Sequence, residues 1–333
     1  MPGMKATSAV SVGIGVLLSL PSAGQTPFAF RGWEGCYRLT NSRTEVVVVP
    51  SAGARVVVFA LDGKNVLLAD PKVDGKVLPS GGSWMPWDGS APDTVSPTGG
   101  SQLEHVWLGA YTVPRAEALR LDCVSRDNAV RGVRMGKQFL LDPERPLLTI
   151  CRRLTNISDK PARWGFWERT LVPGRAVGFA PTNPDSAFAG GWGLRRKAGG
   201  PFLSPPRLPS EARVAVRAIS AAEGMLIIRP QGKGTNIGLD SREGWVAARV
   251  DDALFTIRFP LFHGREYPWG TSVGTVFYFA DNRLELEPVS PYFDLEPGET
   301  VSWQIRWTIQ QMENAPTGDR ALAAAVRGRI ARE

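Results

Sequence analysis

The chain has 333 residues, 43% of them hydrophobic, enough to build one large β domain or two ordinary ones. Lysine and arginine total 39 against 32 acidic residues, a formal net charge of +7. With no basic run beyond Arg195-Arg196-Lys197, that charge gives no nucleic-acid footprint; it describes a basic surface that favours acidic partners, such as an anionic glycan or the cell envelope.

The first predicted element is a leader. Lys5 is followed by an uncharged, mostly apolar run from Ala9 to Leu20 and then by Pro21, Ser22, Ala23 and Gly24. This is the order of a secretory signal peptide over residues 1–24, with cleavage between about Ala23 and Gln25. The run is too short to span a bilayer, which needs roughly 20 apolar residues. No other stretch is apolar enough, so no stable membrane insertion is expected. The mature chain, 25–333, is expected to be a single domain, periplasmic or secreted.

Alternation of apolar and polar residues dominates the rest, the pattern of β-strands. Strands are predicted at Thr44 to Val49, Ala54 to Leu61, Val66 to Leu68, Glu117 to Val124, Gly132 to Leu141, Leu147 to Leu154 and Arg163 to Leu171. Further runs follow at Arg213 to Ile219, Met225 to Arg229, Trp245 to Val250, Ala253 to Phe259, Gly274 to Phe279, Leu284 to Glu287 and Val301 to Ile309. Nearly all connections carry Gly, Pro, Asn or Asp. The fold class that follows is all-β, a large antiparallel β-sandwich. One helix is predicted, Asp319 to Ile330, as an exterior packing helix or a frayed tail. Two Gly/Pro-rich stretches, Pro79 to Gly100 and Pro173 to Ser210, interrupt the strand pattern as functional loops or disordered segments.

Cysteine occurs at Cys36, Cys123 and Cys151, without the spacing of a metal site. In an oxidising compartment the two in longer strand runs, Cys123 and Cys151, are expected to bridge and Cys36 to stay free; buried thiols are the alternative. No phosphate loop or Ser/His/Asp order is visible. Neither a cofactor nor a metal is expected.

Three segments carry a resemblance. Tyr37 to Leu68 holds a glycine-started strand, Gly53-Ala54-Arg55-Val56, followed by Gly63-Lys64-Asn65-Val66-Leu67. Asn156-Ile157-Ser158-Asp159-Lys160-Pro161 forms a turn midway. Leu284-Glu285-Leu286-Glu287-Pro288 precedes Leu295-Glu296-Pro297-Gly298-Glu299 near the end. In this order the segments resemble the galactose mutarotase-like (aldose 1-epimerase) superfamily, nearest to an uncharacterised bacterial branch of it rather than to the sugar epimerases. The resemblance implies the mutarotase-type supersandwich and a carbohydrate ligand. It also implies an epimerase chemistry in which a glutamate takes a proton from the anomeric hydroxyl and a histidine gives one to the ring oxygen.

The glutamate of that resemblance falls on Glu287, or less well on Glu285, which shares its strand face. The histidine is missing: its place after the Asn156 turn reads Trp164-Gly165-Phe166-Trp167-Glu168-Arg169. Of the two histidines in the chain, His105 is the candidate acid and His263 the weaker one, with a structural role the alternative for both. Eleven tryptophans supply stacking surfaces for sugar C–H faces. Trp84 and Trp87, bracketing Met85-Pro86, are expected to cover the mouth of the site, with Trp167, Arg169 and Arg55 as further ligand contacts. The sequence therefore favours an exported carbohydrate-binding protein of doubtful catalytic activity. A Glu287-based epimerase-like enzyme is the alternative and a structural envelope sandwich the second. The oligomeric state is left open.

Overall fold

The computed structural model describes residues 24–82, 84–97, 104–128, 130–195, 200–204, 217–232 and 234–333. All of the expected leader except Gly24 lies outside them, as do part of the Arg213 to Ile219 run and Arg196-Lys197. The fold is an all-β sandwich with two short helices among the described residues, Glu104–Trp107 and Asp319–Ile330.

One layer is a ten-stranded sheet in which every neighbouring pair is antiparallel. At its centre lies Thr300–Gln311, between Ala253–Arg258 and Leu147–Asn156. The central strand shows why this sequence forms a strand. Trp303, Ile305, Trp307 and Ile309 point into the core, while Ser302, Gln304 and Arg306 between them are exposed.

The other layer is made of two five-stranded sheets joined at a single residue. Ser90 pairs with Val56 on one side and with Thr170 on the other. Phe59 of the Arg55–Leu61 strand meets Phe255 and Trp307 of the ten-stranded sheet at centroid distances of 5.7 and 5.5 Å, an aromatic contact that locks the layers together. The Asp319–Ile330 helix lies outside, burying Leu322, Ala323, Val326 and Ile330 against Met225, Ile227, Ala247 and Leu254. It is the exterior packing helix.

The expected Cys123–Cys151 bridge does not form; all three cysteines are free. The Val133–Leu141 strand runs between the two cysteines, Cys123 facing Lys137 and Cys151 facing Gln138. Lys137 and Gln138 are consecutive, so the thiols lie on opposite faces of the sheet and two strand spacings, about 10 Å, apart. That exceeds disulfide reach.

Candidate functional site

The site is built on the Arg283–Pro288 strand, next to the edge strand Thr170–Pro173 in one five-stranded sheet of the second layer. Period-two alternation sends Leu284 and Leu286 into the sandwich core and turns Glu285 and Glu287 to the opposite face. On the far edge of the same sheet, the Gly193–Arg195 strand places Leu194 in the core and leaves Arg195 on the carboxylate face.

Glu287 is buried, 1% exposed. The Trp167 indole Nε1 donates to its Oε2 at 2.8 Å. Burial first, and the neighbouring Glu285 second, push the Glu287 carboxyl up to about 8; Arg169, the Trp167 hydrogen bond and Arg195 pull the other way. Glu285 holds Arg169 Nη2 at 3.5 Å and Arg283 Nε at 3.1 Å. The two carboxyls thus differ in setting: Glu285 is ion-paired, while burial favours the protonated form of Glu287.

Aromatic rings surround both cations. The Arg169 guanidinium lies over Trp87, Trp107 and Trp167 at 4.9, 4.7 and 5.0 Å. Arg195 lies over Trp269 at 4.3 Å and Phe202 at 5.0 Å. It is buried, and among the described residues its Nε and Nη1 find no hydrogen-bond partner. Burial lowers its pKa, with Glu287 opposing. Phe202 fits beneath Arg195 because residue 238 is glycine: a Cβ there would meet the ring at 2.7 Å. Trp269 has a φ of 67°, a left-handed conformation costly for a bulky residue. Its ring sits 5.7 Å from Trp167 and 6.0 Å from Phe202, contacts that hold it there.

A buried polar group behind the site fixes Trp167 and Arg169. Glu168, between them, points inward to an ion pair with Arg152, both side chains fully buried. Its Oε1 also accepts from Ser90 and Thr170 hydroxyls at 2.7 and 2.6 Å. Trp167 and Arg169 are thereby turned to the site.

Of the residues singled out from the sequence, Glu287, Glu285, Trp167, Arg169 and Trp87 come together. Trp87 does so as a packed residue, edge-on to Trp107 at 5.8 Å. Trp84 is 56% exposed on the same loop. Arg55 belongs to a separate ionic cluster: it is wholly buried, 3.6 Å from Asp88 and 4.8 Å from the Trp33 ring, and Asp88 also binds Arg31 at 2.6 Å. His105 is exposed on the Glu104–Trp107 helix. Among the described residues no hydrogen bond or ion pair joins it to Glu287. Trp164 and Trp245 are buried. Sequence reasoning missed the roles of Arg195 and Trp107, and left Trp269 as one tryptophan among several. Among the described residues no three His, Cys, Asp or Glu side chains cluster as metal ligands.

Solved structures share this architecture. A galactose mutarotase-like protein from Lactobacillus casei ATCC 334 superposes with a TM-score of 0.58 at 10% identity, covering 83% of this chain and 100% of its own. A galactose mutarotase related enzyme from Lactobacillus acidophilus gives 0.52 at 12% identity, with coverages of 84% and 98%. A galactose mutarotase-like protein from Clostridium acetobutylicum gives 0.52 at 10% identity, with coverages of 86% and 98%. At these identities the likeness is one of fold: the chain has the galactose mutarotase-like sandwich. No protein-family model and no curated protein sequence matches it.

Proposed function

We propose that this protein is an exported, single-domain carbohydrate-binding protein whose ligand is held at Glu287. One juxtaposition carries the reading. A buried carboxyl whose protonated form burial favours, a second carboxylate, two guanidinium groups and the rings of Trp167 and Trp269 come together at one face of the Arg283–Pro288 strand. A pyranose needs that combination, with rings for its apolar face and hydrogen-bonding groups for its hydroxyl rim. The fold shared with mutarotase-like proteins supports the same ligand class. Calorimetric titration with a monosaccharide panel tests it. Binding that Glu287→Ala abolishes is expected; failure of every sugar to bind overturns it. N-terminal sequencing of the secreted protein tests the export: a chain beginning at Met1 removes it.

One observation favours a second reading, sugar conversion. A carboxyl titrating at about 8 is poised for proton transfer near neutral pH. An epimerase needs a second proton carrier, and His105 is exposed rather than hydrogen-bonded into the group. Polarimetry separates the readings. An enzyme interconverts anomers faster than buffer and loses roughly a hundredfold on Glu287→Gln and on His105→Ala. The binder gives no rate above buffer.

A further inference from the structure

The solvent face of the ten-stranded sheet carries a concave feature, on the layer opposite the Glu287 site. A cleft of about 470 Å³ lies where Ala253–Arg258, Thr300–Gln311 and Leu147–Asn156 run side by side. Arg145, Arg258, Arg306 and Arg332 line it, beside an apolar wall of Pro146 and Leu147.

The charges in this cleft are not balanced. Arg258 and Arg306 stand directly opposite each other across neighbouring strands, a like-charge pairing that weakens a sheet. The single lining carboxylate side chain, that of Glu333, is 5% exposed and already committed: its Oε2 takes Arg258 Nε at 3.1 Å, and its Oε1 takes Thr308 Oγ1 and Gln310 Nε2 at 2.7 Å each. Arg145 is held by Asp142 at 2.7 Å. Among the described residues, Arg306 and Arg332 form no ion pair, and both are exposed at the cleft.

We infer that this cleft binds a small organic oxyanion, a phosphate or sulfate monoester on a ring or apolar body, with Arg306 and Arg332 as its charged donors. Guanidinium forks match tetrahedral oxyanions and bind them through paired hydrogen bonds. The volume is that of a small-molecule pocket, and the partly exposed Pro146 and Leu147 side chains give the organic body an apolar seat. A bound anion also relieves the repulsion between Arg258 and Arg306. The inference is independent of the carbohydrate reading, since the two sites lie on different layers.

The test is calorimetric titration of the full chain with phenyl phosphate and phenyl sulfate at low salt, with benzyl alcohol as the uncharged control. Saturable binding of at least one ester, without binding of the alcohol, is expected; binding of only one names which ester chemistry the cleft accepts. Arg306→Ala and Arg332→Ala should each weaken it by roughly tenfold, Arg306→Lys by less, with unchanged melting temperatures. Arg153→Ala, an exposed arginine on the same sheet face outside the cleft, should have no effect. Absence of binding by both esters overturns the inference. So does equal weakening by Arg153→Ala, which would make the attraction a diffuse property of a basic surface.

Discussion

Trp167, the last residue of the Ala162–Trp167 strand, donates its indole hydrogen to Glu287 of the Arg283–Pro288 strand, which belongs to a different sheet. The bond holds a carboxyl over whose proton burial, a second acid and two guanidinium groups compete.

That competition makes stability depend on pH. The folded pKa of Glu287, about 8, lies above the ordinary 4.5, so the unfolded chain gives up this proton first. The native state then binds more protons than the unfolded state between those two values, and stability falls as pH rises through that window, levelling off above about 8. Glu287→Gln should flatten this limb, by on the order of a few kcal/mol across the window. Urea unfolding at about pH 5 and about pH 8.5 for both proteins is the check; parallel pH dependences would show that Glu287 ionises normally.

Arg169 works against the protonated state of Glu287. Replacing it by leucine should move the pH midpoint of sugar binding upward by roughly one unit. It should also cost about 1–3 kcal/mol of stability, since the guanidinium stacks on three tryptophans. A downward shift of the midpoint would mean that Arg169 does not reach the carboxyl.

The two loop tryptophans should separate. Trp84 is exposed, and Trp84→Ala should leave the melting temperature unchanged while weakening any glycan binding. Trp87 packs on Trp107 and under Arg169, so Trp87→Ala should destabilise by roughly 2–4 kcal/mol. Equal melting temperatures for the two variants would contradict this placement.

Three thiols should titrate in denaturant, with no disulfide in the mass spectrum of the unreduced protein. In the native state Cys151, partly exposed, should react first. Burial pushes Cys36 up to about 11 and Cys123 to about 12, which keeps both as unreactive thiols. Simultaneous labelling of all three would show that the sheet opens locally.

Where β-branched and aromatic residues alternate without interruption, the strands were legible: Thr44–Val49, Trp245–Val250 and the Asp319–Ile330 helix coincide with their predicted bounds. Where alternation runs on through a tight turn, it misled. The Glu117 to Val124 run spans a hairpin, its first residue ending one strand and Arg120–Ser125 forming the next. The short strands Val177–Pro181 and Thr235–Leu239 sit in glycine-containing stretches with no readable period. The same division holds at the site. Glu285 and Glu287 share a face because they are two apart on one strand, which local reasoning can see. Arg195 and Trp269 join them only through strand order and a left-handed backbone, which it cannot. Strand order also decides the cysteines: alternation says which residues lie in strands, not that a third strand runs between them.

Glu168 separates Trp167 and Arg169, the two residues that face Glu287 and Glu285, and is itself tied, on the other side, to Arg152, Ser90 and Thr170. A random mutagenesis screen for loss of sugar binding would therefore return two classes of clone. One class touches Glu287 and its rings. The other falls at Arg152, Ser90 or Thr170, positions no ligand meets, where the lesion releases the backbone that aims Trp167 and Arg169. Second-site suppressors of that class would arise in the interior rather than around the sugar.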